Sequence, residues 1–229
     1  MLSRRKLIHF DEMDQMPHVL QHPVDMPGQW ANFWGNDHPM VLEVGCGTGN
    51  YVLGLAARLP DWNVIGADIK GARMWHGATK SRDLNLSNVA FLRCRLEQLP
   101  DYFGRDEVSE LWITFPDPQP RASRERKRLT SLRFLHIYHR ILRPGAWIHL
   151  KTDDPNLFAF SVETWRNACM KVHSLTYDLY AGDVFGPAVD IQTTYESRFL
   201  AEGKKIHYMC AEFTDEFTVS AAQPLPTDQ

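Results

Sequence analysis

The chain has 229 residues, 44% hydrophobic and 23% charged, with 14 glycines and 14 prolines, which suits one sizeable core and excludes a collagen-like, low-complexity or disordered chain. A net charge of -3 and an isoelectric point near 6.4 exclude a generally basic nucleic-acid coat, though not a local basic patch. No run approaches the roughly 18 apolar residues of a membrane span, and Cys46, Cys94, Cys169 and Cys210 lie far apart with no Cys-x-x-Cys pair, as expected of a protein in a reducing cytoplasm.

Arg4-Arg5-Lys6 opens like a signal peptide, but the polar stretch His9-Phe10-Asp11-Glu12 follows where an apolar segment is required, so no secretory signal is expected. Over 1–38, Pro17, Pro23 and Pro27 break any long element, while Trp30, Phe33 and Trp34 recur at helical spacing; this predicts an arm with one short helix. From residue 40 the pattern changes. Apolar runs of strand length at 40–44, 62–67, 89–93, 110–115 and 146–152 alternate with helical segments, the mark of βαβ crossovers. The clearest helix is expected over 130–142, where Leu132, Leu135, Tyr138 and Leu142 recur before Arg143-Pro144-Gly145, and another over 155–170. Strands near 174–180 and 206–213 flank a loop rich in Gly and Pro and predict an antiparallel edge. The expected organisation is an α/β, Rossmann-like, mostly parallel sheet with helices on both faces over 39–215, preceded by the arm and followed by a frayed tail over 216–229.

Ligands of open α/β sheets bind beyond the carboxyl ends of the strands. Those ends are acidic here: Glu43 precedes Gly45-Cys46-Gly47-Thr48-Gly49, Asp68 closes the second strand, Asp117 follows the fourth, and Asp153 follows the fifth. The glycine turn allows close backbone approach and leads into a helix N-terminus, and Asp68 is spaced to bond a ribose diol. Both suit NAD and S-adenosylmethionine (SAM) alike. Carboxylates repel a pyrophosphate and attract a sulfonium and an ammonium, which favours SAM, as does the Gly-x-Gly-x-Gly spacing.

Phe115-Pro116-Asp117-Pro118-Gln119-Pro120 predicts a stiff loop with an acid at its centre, either catalytic or merely capping its own turn. Arg121-Ala122-Ser123-Arg124-Glu125-Arg126-Lys127-Arg128 follows, with five basic residues in eight. Beside an active-site acid, such a run would hold a phosphodiester backbone; its bland alternative is a solvated face. No metal is expected, because the ten histidines are scattered, and His136-x-x-His139 on an amphipathic helix reads as surface and packing.

Together Leu42-Glu43-Val44-Gly45-Cys46-Gly47-Thr48-Gly49, Phe115-Pro116-Asp117-Pro118 with its basic continuation, His149-Leu150-Lys151-Thr152-Asp153 and Thr193-Thr194-Tyr195-Glu196 resemble the bacterial tRNA (guanine-N7-)-methyltransferases, the TrmB family, over about residues 40–213. The resemblance implies a SAM-dependent methyltransferase fold and methyl transfer to guanine N7 in tRNA. It implies that Glu43 and Asp68 bind the cofactor, that Asp117 is at the catalytic centre, and that Arg121, Asp153, Thr193 and Glu196 contact substrate; the glycine turn adds Gly45, Gly47 and Gly49 as candidate cofactor contacts, and the basic run adds Arg126, Lys127 and Arg128 as candidate RNA contacts. Thr193-x-x-Glu196 is equally a helix capping box, and Asp154-Pro155 already reads as N-cap and N1, leaving Asp153 free. Three departures stand out. Gln119 replaces a Trp, Arg121-Ala122-Ser123-Arg124 thins a Lys-Lys-Arg-His stretch, and the acid expected near the adenine aligns with Arg95, with Glu97 as its substitute. The readings left beside this one are a SAM-dependent methyltransferase acting on another RNA position or a small molecule, and a non-catalytic RNA-binding protein of the same fold.

Overall fold

The computed structural model describes residues 4–217, with side chains from Leu7 onward; the tail beyond Phe217 and the side chains of Arg4, Arg5 and Lys6 lie outside the described residues. The N-terminal segment is more structured than an arm with one helix. It forms α1 (Arg4–Asp14), β1 (Val19–Gln21) and α2 (Trp30–Trp34). Three residues between Pro17 and Pro23 are too few for a readable alternation, and β1 exists because it completes the parallel edge beside β4 (Val89–Arg93) in the register Val19 to Phe91. Met13, Met16 and Trp30 are buried, and the Phe10 ring lies 4.2 Å from the Arg93 guanidinium.

After α2 come β2 (Met40–Val44), α3 (Asn50–Arg58), β3 (Asn63–Asp68), α4 (Gly71–Asp83) and then β4. Next are β5 (Val108–Thr114), α5 (Leu132–His139), β6 (Leu142–Thr152), α6 (Pro155–Asn167), β7 (Lys171–Thr176), α7 (Pro187–Asp190), α8 (Thr194–Ala201) and β8 (His207–Glu212). Helix α5 stops short of Leu142 because the chain is already extended there. The Ile141 carbonyl accepts from the Val108 amide at 3.0 Å and Leu142 pairs with Val108, so Arg143-Pro144-Gly145 bulges inside a strand instead of ending a helix.

The eight strands lie in the order β1-β4-β3-β2-β5-β6-β8-β7. The pairings among β1 to β6 are parallel, and β8 pairs antiparallel with both β6 and β7. The sheet is thus a Rossmann-like α/β sheet with the expected antiparallel edge. Side chains alternate between its two faces. Leu42, Ile65, Leu111 and Phe134 belong to the core under α5 and α6, and Val41, Val64, Trp112 and Leu55 to the core under α3 and α4. All five residues of β2 are buried, as a strand covered on both faces requires. From β2 the chain winds outward through β3 and β4, then returns to place β5 on the other side of β2. The strand order therefore reverses between β2 and β5, where a crevice opens at the carboxyl ends.

Candidate active site at the switch point of the sheet

A cleft of about 550 Å³ occupies that crevice, and Glu43, Asp68, Asp117 and Asp153 all line it. Four separate strand ends thus deliver their carboxylates to one opening.

Glu43, near the end of β2, is 1% exposed. One carboxylate oxygen accepts from the Thr114 hydroxyl of β5, across the switch point, while Oε2 is buried with no hydrogen-bond partner. Burial raises the carboxyl pKa to about 8, against the opposing pull of the Thr114 hydroxyl. A buried acid with one unpaired oxygen is costly to leave ionised. A cation in the cleft would relieve that cost.

The turn after β2 is pinned by the Gly45 and Cys46 amides, which donate to the Ala67 carbonyl at 2.8 and 3.2 Å. Its three glycines have φ of 75°, 56° and 74°. At Gly49 a Cβ would also come within 2.7 Å of the Phe91 ring, so both the left-handed backbone and the packing of α3 on the sheet demand glycine there. Asp68 holds the facing side. Its Oδ2 accepts from the Gly47 amide at 3.0 Å and its Oδ1 from the Lys70 amide at 2.8 Å, leaving each oxygen a second lone pair for a hydroxyl.

Past β5 the backbone is strained. Phe115 and Gln119 have φ of 47° and 44°, a region costly for residues with a side chain. The Phe115 amide donates to the Lys151 carbonyl at 2.8 Å, and the Asp117 carboxylate accepts from the Gln119 amide at 3.0 Å. Asp117 therefore caps its own turn and lines the cleft at once, so the two sequence readings coexist.

The basic run forms a 3₁₀ segment, Ala122–Lys127, with no buried residue. Of its cations only Lys127 lines the cleft, and Arg121 and Arg126 face solvent outside it. Arg128 is placed differently. Its guanidinium donates to the Pro118 and Gln119 carbonyls at 3.2 and 3.3 Å and lies 4.2 Å from the Phe160 ring centroid. It braces the Asp117 loop, because the carbonyls of that loop need a donor.

Asp153, after β6, receives Lys204 at 2.7 Å, while Asp154 caps α6 by accepting from the Leu157 amide at 2.8 Å, with Pro155 at the first helical position. The capping reading of Asp154 thereby leaves Asp153 to the cleft. Thr193 and Glu196 form the capping box of α8. Thr193 lines the cleft and Glu196 does not. Glu196 is fully buried against Lys151 at 2.8 Å, with the Tyr180 hydroxyl donating to it at 2.8 Å. Its expected place among substrate contacts gives way to a buried ion pair. Glu97 is likewise outside the cleft, exposed in a 3₁₀ turn that begins after Arg95.

Sequence reading missed three participants. Lys151, fully buried, donates to the Ala188 and Ile191 carbonyls at 2.6 and 3.0 Å as well as to Glu196; its signal was a lysine inside the strand read at 146–152, since a buried charge needs a partner. Asn50 ties the start of α3 to α8 through the Thr194 hydroxyl at 2.9 Å. Tyr195 stands half-exposed on the cleft lining. Among the described residues no group of three or more His, Cys, Asp or Glu side chains is placed to hold a metal ion, and no helix is long and apolar enough to cross a membrane.

Comparison with known proteins agrees with this geometry. The profile of a family described as "Putative methyltransferase" matches residues 37–209. The chain is 40% identical over 218 residues to a tRNA (guanine-N(7)-)-methyltransferase of Cytophaga hutchinsonii, covering 93% of this chain and 99% of the relative. It is 45% identical over 209 residues to that of Porphyromonas gingivalis, covering 86% and 85%. The fold is similar to that of the 16S rRNA methyltransferase KamB, with a TM-score of 0.64 at 18% identity over 86% of this chain and 99% of that one. A SAM-dependent methyltransferase of Aquifex aeolicus shares it with a TM-score of 0.54 at 15% identity, over 93% of this chain and 100% of that one. By its sequence relatives over nearly its whole length, the chain belongs to the tRNA (guanine-N(7)-)-methyltransferase family.

Proposed function

We propose that this protein transfers a methyl group from SAM to N7 of a guanine in tRNA. The observation that carries the reading is the acidic cleft at the switch point, with an unpartnered buried oxygen on Glu43 and a basic turn at its mouth. Its sequence relatives bear that activity in their names. The residues fit the cofactor: Glu43 would neutralise its ammonium, the Gly45 to Gly49 turn would receive its backbone-lined part, and Asp68 would bond its ribose. When bound, SAM supplies a methyl group activated on a sulfonium.

The remaining work falls to the chain. Guanine N7 has an in-plane lone pair and no proton, so no residue has to act as an obligatory general base. The protein's task is alignment, which can be worth about 7–11 kcal/mol in good geometry. Asp117, on a loop stiffened by prolines and braced by Arg128, would accept hydrogen bonds from the guanine N1–H and N2–H groups and offset the positive charge that develops on the purine. Asp153 and Thr193 line the same opening and would complete the contact with substrate, while Arg121, Arg126 and Lys127 would receive phosphates. Four free cysteines support a reducing compartment such as the cytoplasm.

The test is transfer from labelled SAM to unmodified tRNA followed by nucleoside analysis. N7-methylguanosine is expected, and its absence from reactions with folded protein would defeat the reading. Asp117→Asn should lower kcat/KM about tenfold, as loss of a charge-assisted hydrogen bond does; full turnover across pH would remove Asp117 from this role. Arg126→Ala with Lys127→Ala should raise the KM for tRNA and flatten its dependence on salt by roughly one to two units of log-log slope, with SAM binding intact. An unchanged slope would return both residues to the solvated surface.

A further inference from the structure

One large side chain at the cleft has no structural task. Tyr195 is 50% exposed, although it sits between two tethered residues. Thr194 before it is bonded to Asn50, and Glu196 after it is locked to Lys151 and to the Thr193 amide. Its backbone is therefore fixed while its ring meets solvent. Beside it on the same lining are Phe199, one turn further along α8, and Phe115, with ring centroids 5.9 Å apart. Lys204 lies 4.2 Å from the Phe199 ring centroid while bonded to Asp153. Lys70, Arg73 and Lys127 share the opening. Aromatic faces framed by cations are the arrangement that single-stranded nucleic acid recognises, the rings taking bases and the cations phosphates.

We propose that Tyr195 is a stacking platform for the nucleobase next to the methylated guanine. The assignment rests on the reading of tRNA as substrate and deepens it. A base undergoing chemistry must be enclosed, and that base belongs at Asp117, with the cofactor over Glu43 and Asp68 on the same lining. A ring half in solvent at the wall suits a neighbour of that base, which stays partly exposed as the strand passes. Because α8 is anchored before RNA arrives, the ring is preorganised and little ordering is lost on binding.

The test combines two changes. Tyr195→Leu keeps an apolar side chain without a π-face, and should raise the KM for tRNA about five- to a hundredfold, leaving the Kd for SAM and the Tm unchanged; Tyr195→Phe should match the parent. tRNA carrying an abasic nucleotide on the 5′ or on the 3′ side of the target guanine should raise the parent's KM comparably from one of the two sides, and that substitution should add nothing in Tyr195→Leu. An unchanged KM in Tyr195→Leu, or additive effects with both abasic tRNAs, would overturn the platform. Failure of the parent chain to methylate intact tRNA would instead overturn the substrate reading, and this assignment with it.

Discussion

Replacing Glu43 by Gln is expected to weaken SAM binding about a hundredfold while making the cofactor-free protein more stable at pH 8. The two effects have one origin. Burial holds the Glu43 carboxyl at about 8, so the folded protein keeps its proton through the neutral range, whereas the unfolded chain loses it near the ordinary value of 4.5. Between those limits the native state binds the extra proton, so this residue makes stability fall as pH rises from about 4.5 to 8. Glutamine removes that slope, and with about 1.4 kcal/mol per unit between 4.5 and about 8 the gain at pH 8 is on the order of 4 kcal/mol. It also removes the charge that a cationic ligand would meet, and truncating one side of a buried charge pair costs about 2–5 kcal/mol of affinity. Binding to the parent should release a proton between pH 6 and 7, readable by calorimetry in buffers of different ionisation enthalpy. Equal affinity in the two proteins, or a pH-independent stability difference, would contradict this account.

Lys151→Met should destabilise the fold by about 3–5 kcal/mol, because it strands the fully buried Glu196 carboxylate without its partner. For a chain of this size that is roughly a 6–20 °C loss in Tm. Burial lowers the lysine's own pKa, and Glu196 acts to hold it up, so the ammonium depends on that pair and on the Ala188 and Ile191 carbonyls. A second change, Glu196→Leu, should recover part of the loss, since paired removal leaves no uncompensated charge. Denaturant unfolding of the two single variants and the double variant forms the cycle. A double variant no more stable than Lys151→Met alone would mean that the pair is not the unit of stability here. These residues join β6 to α7 and α8, so the cycle also reports how firmly the Thr193 and Tyr195 wall is held.

Much of this architecture was legible in one dimension. Apolar runs of strand length separated by helical spacing place β2 to β6 to within two residues except at the start of β6, because a strand buried on both faces leaves a continuous apolar signal in the chain. Gly45 to Gly49, Asp68, Asp117 and Asp153 were legible too, since each is the residue at which a strand hands over to its loop, and strand order makes those ends converge. Asp154-Pro155 announced a helix start by local chemistry alone.

Other features are settled by neighbours distant in sequence. The strand β1 is three residues that gain their conformation from β4, some 70 residues away. The early end of α5 follows from the pairing of Leu142 with Val108. Arg128 reads as one cation in a basic run, yet carbonyls of the strained Asp117 loop turn it inward, whereas Lys127 beside it stays at the opening. Glu196 reads equally as a substrate contact or a cap, and Lys151, 45 residues earlier, draws its carboxylate into the core. A charge's role depends on which partner and how much water surround it, and those are properties of the packed chain; its strand ends and helix caps are local, and so were written in the order of its residues.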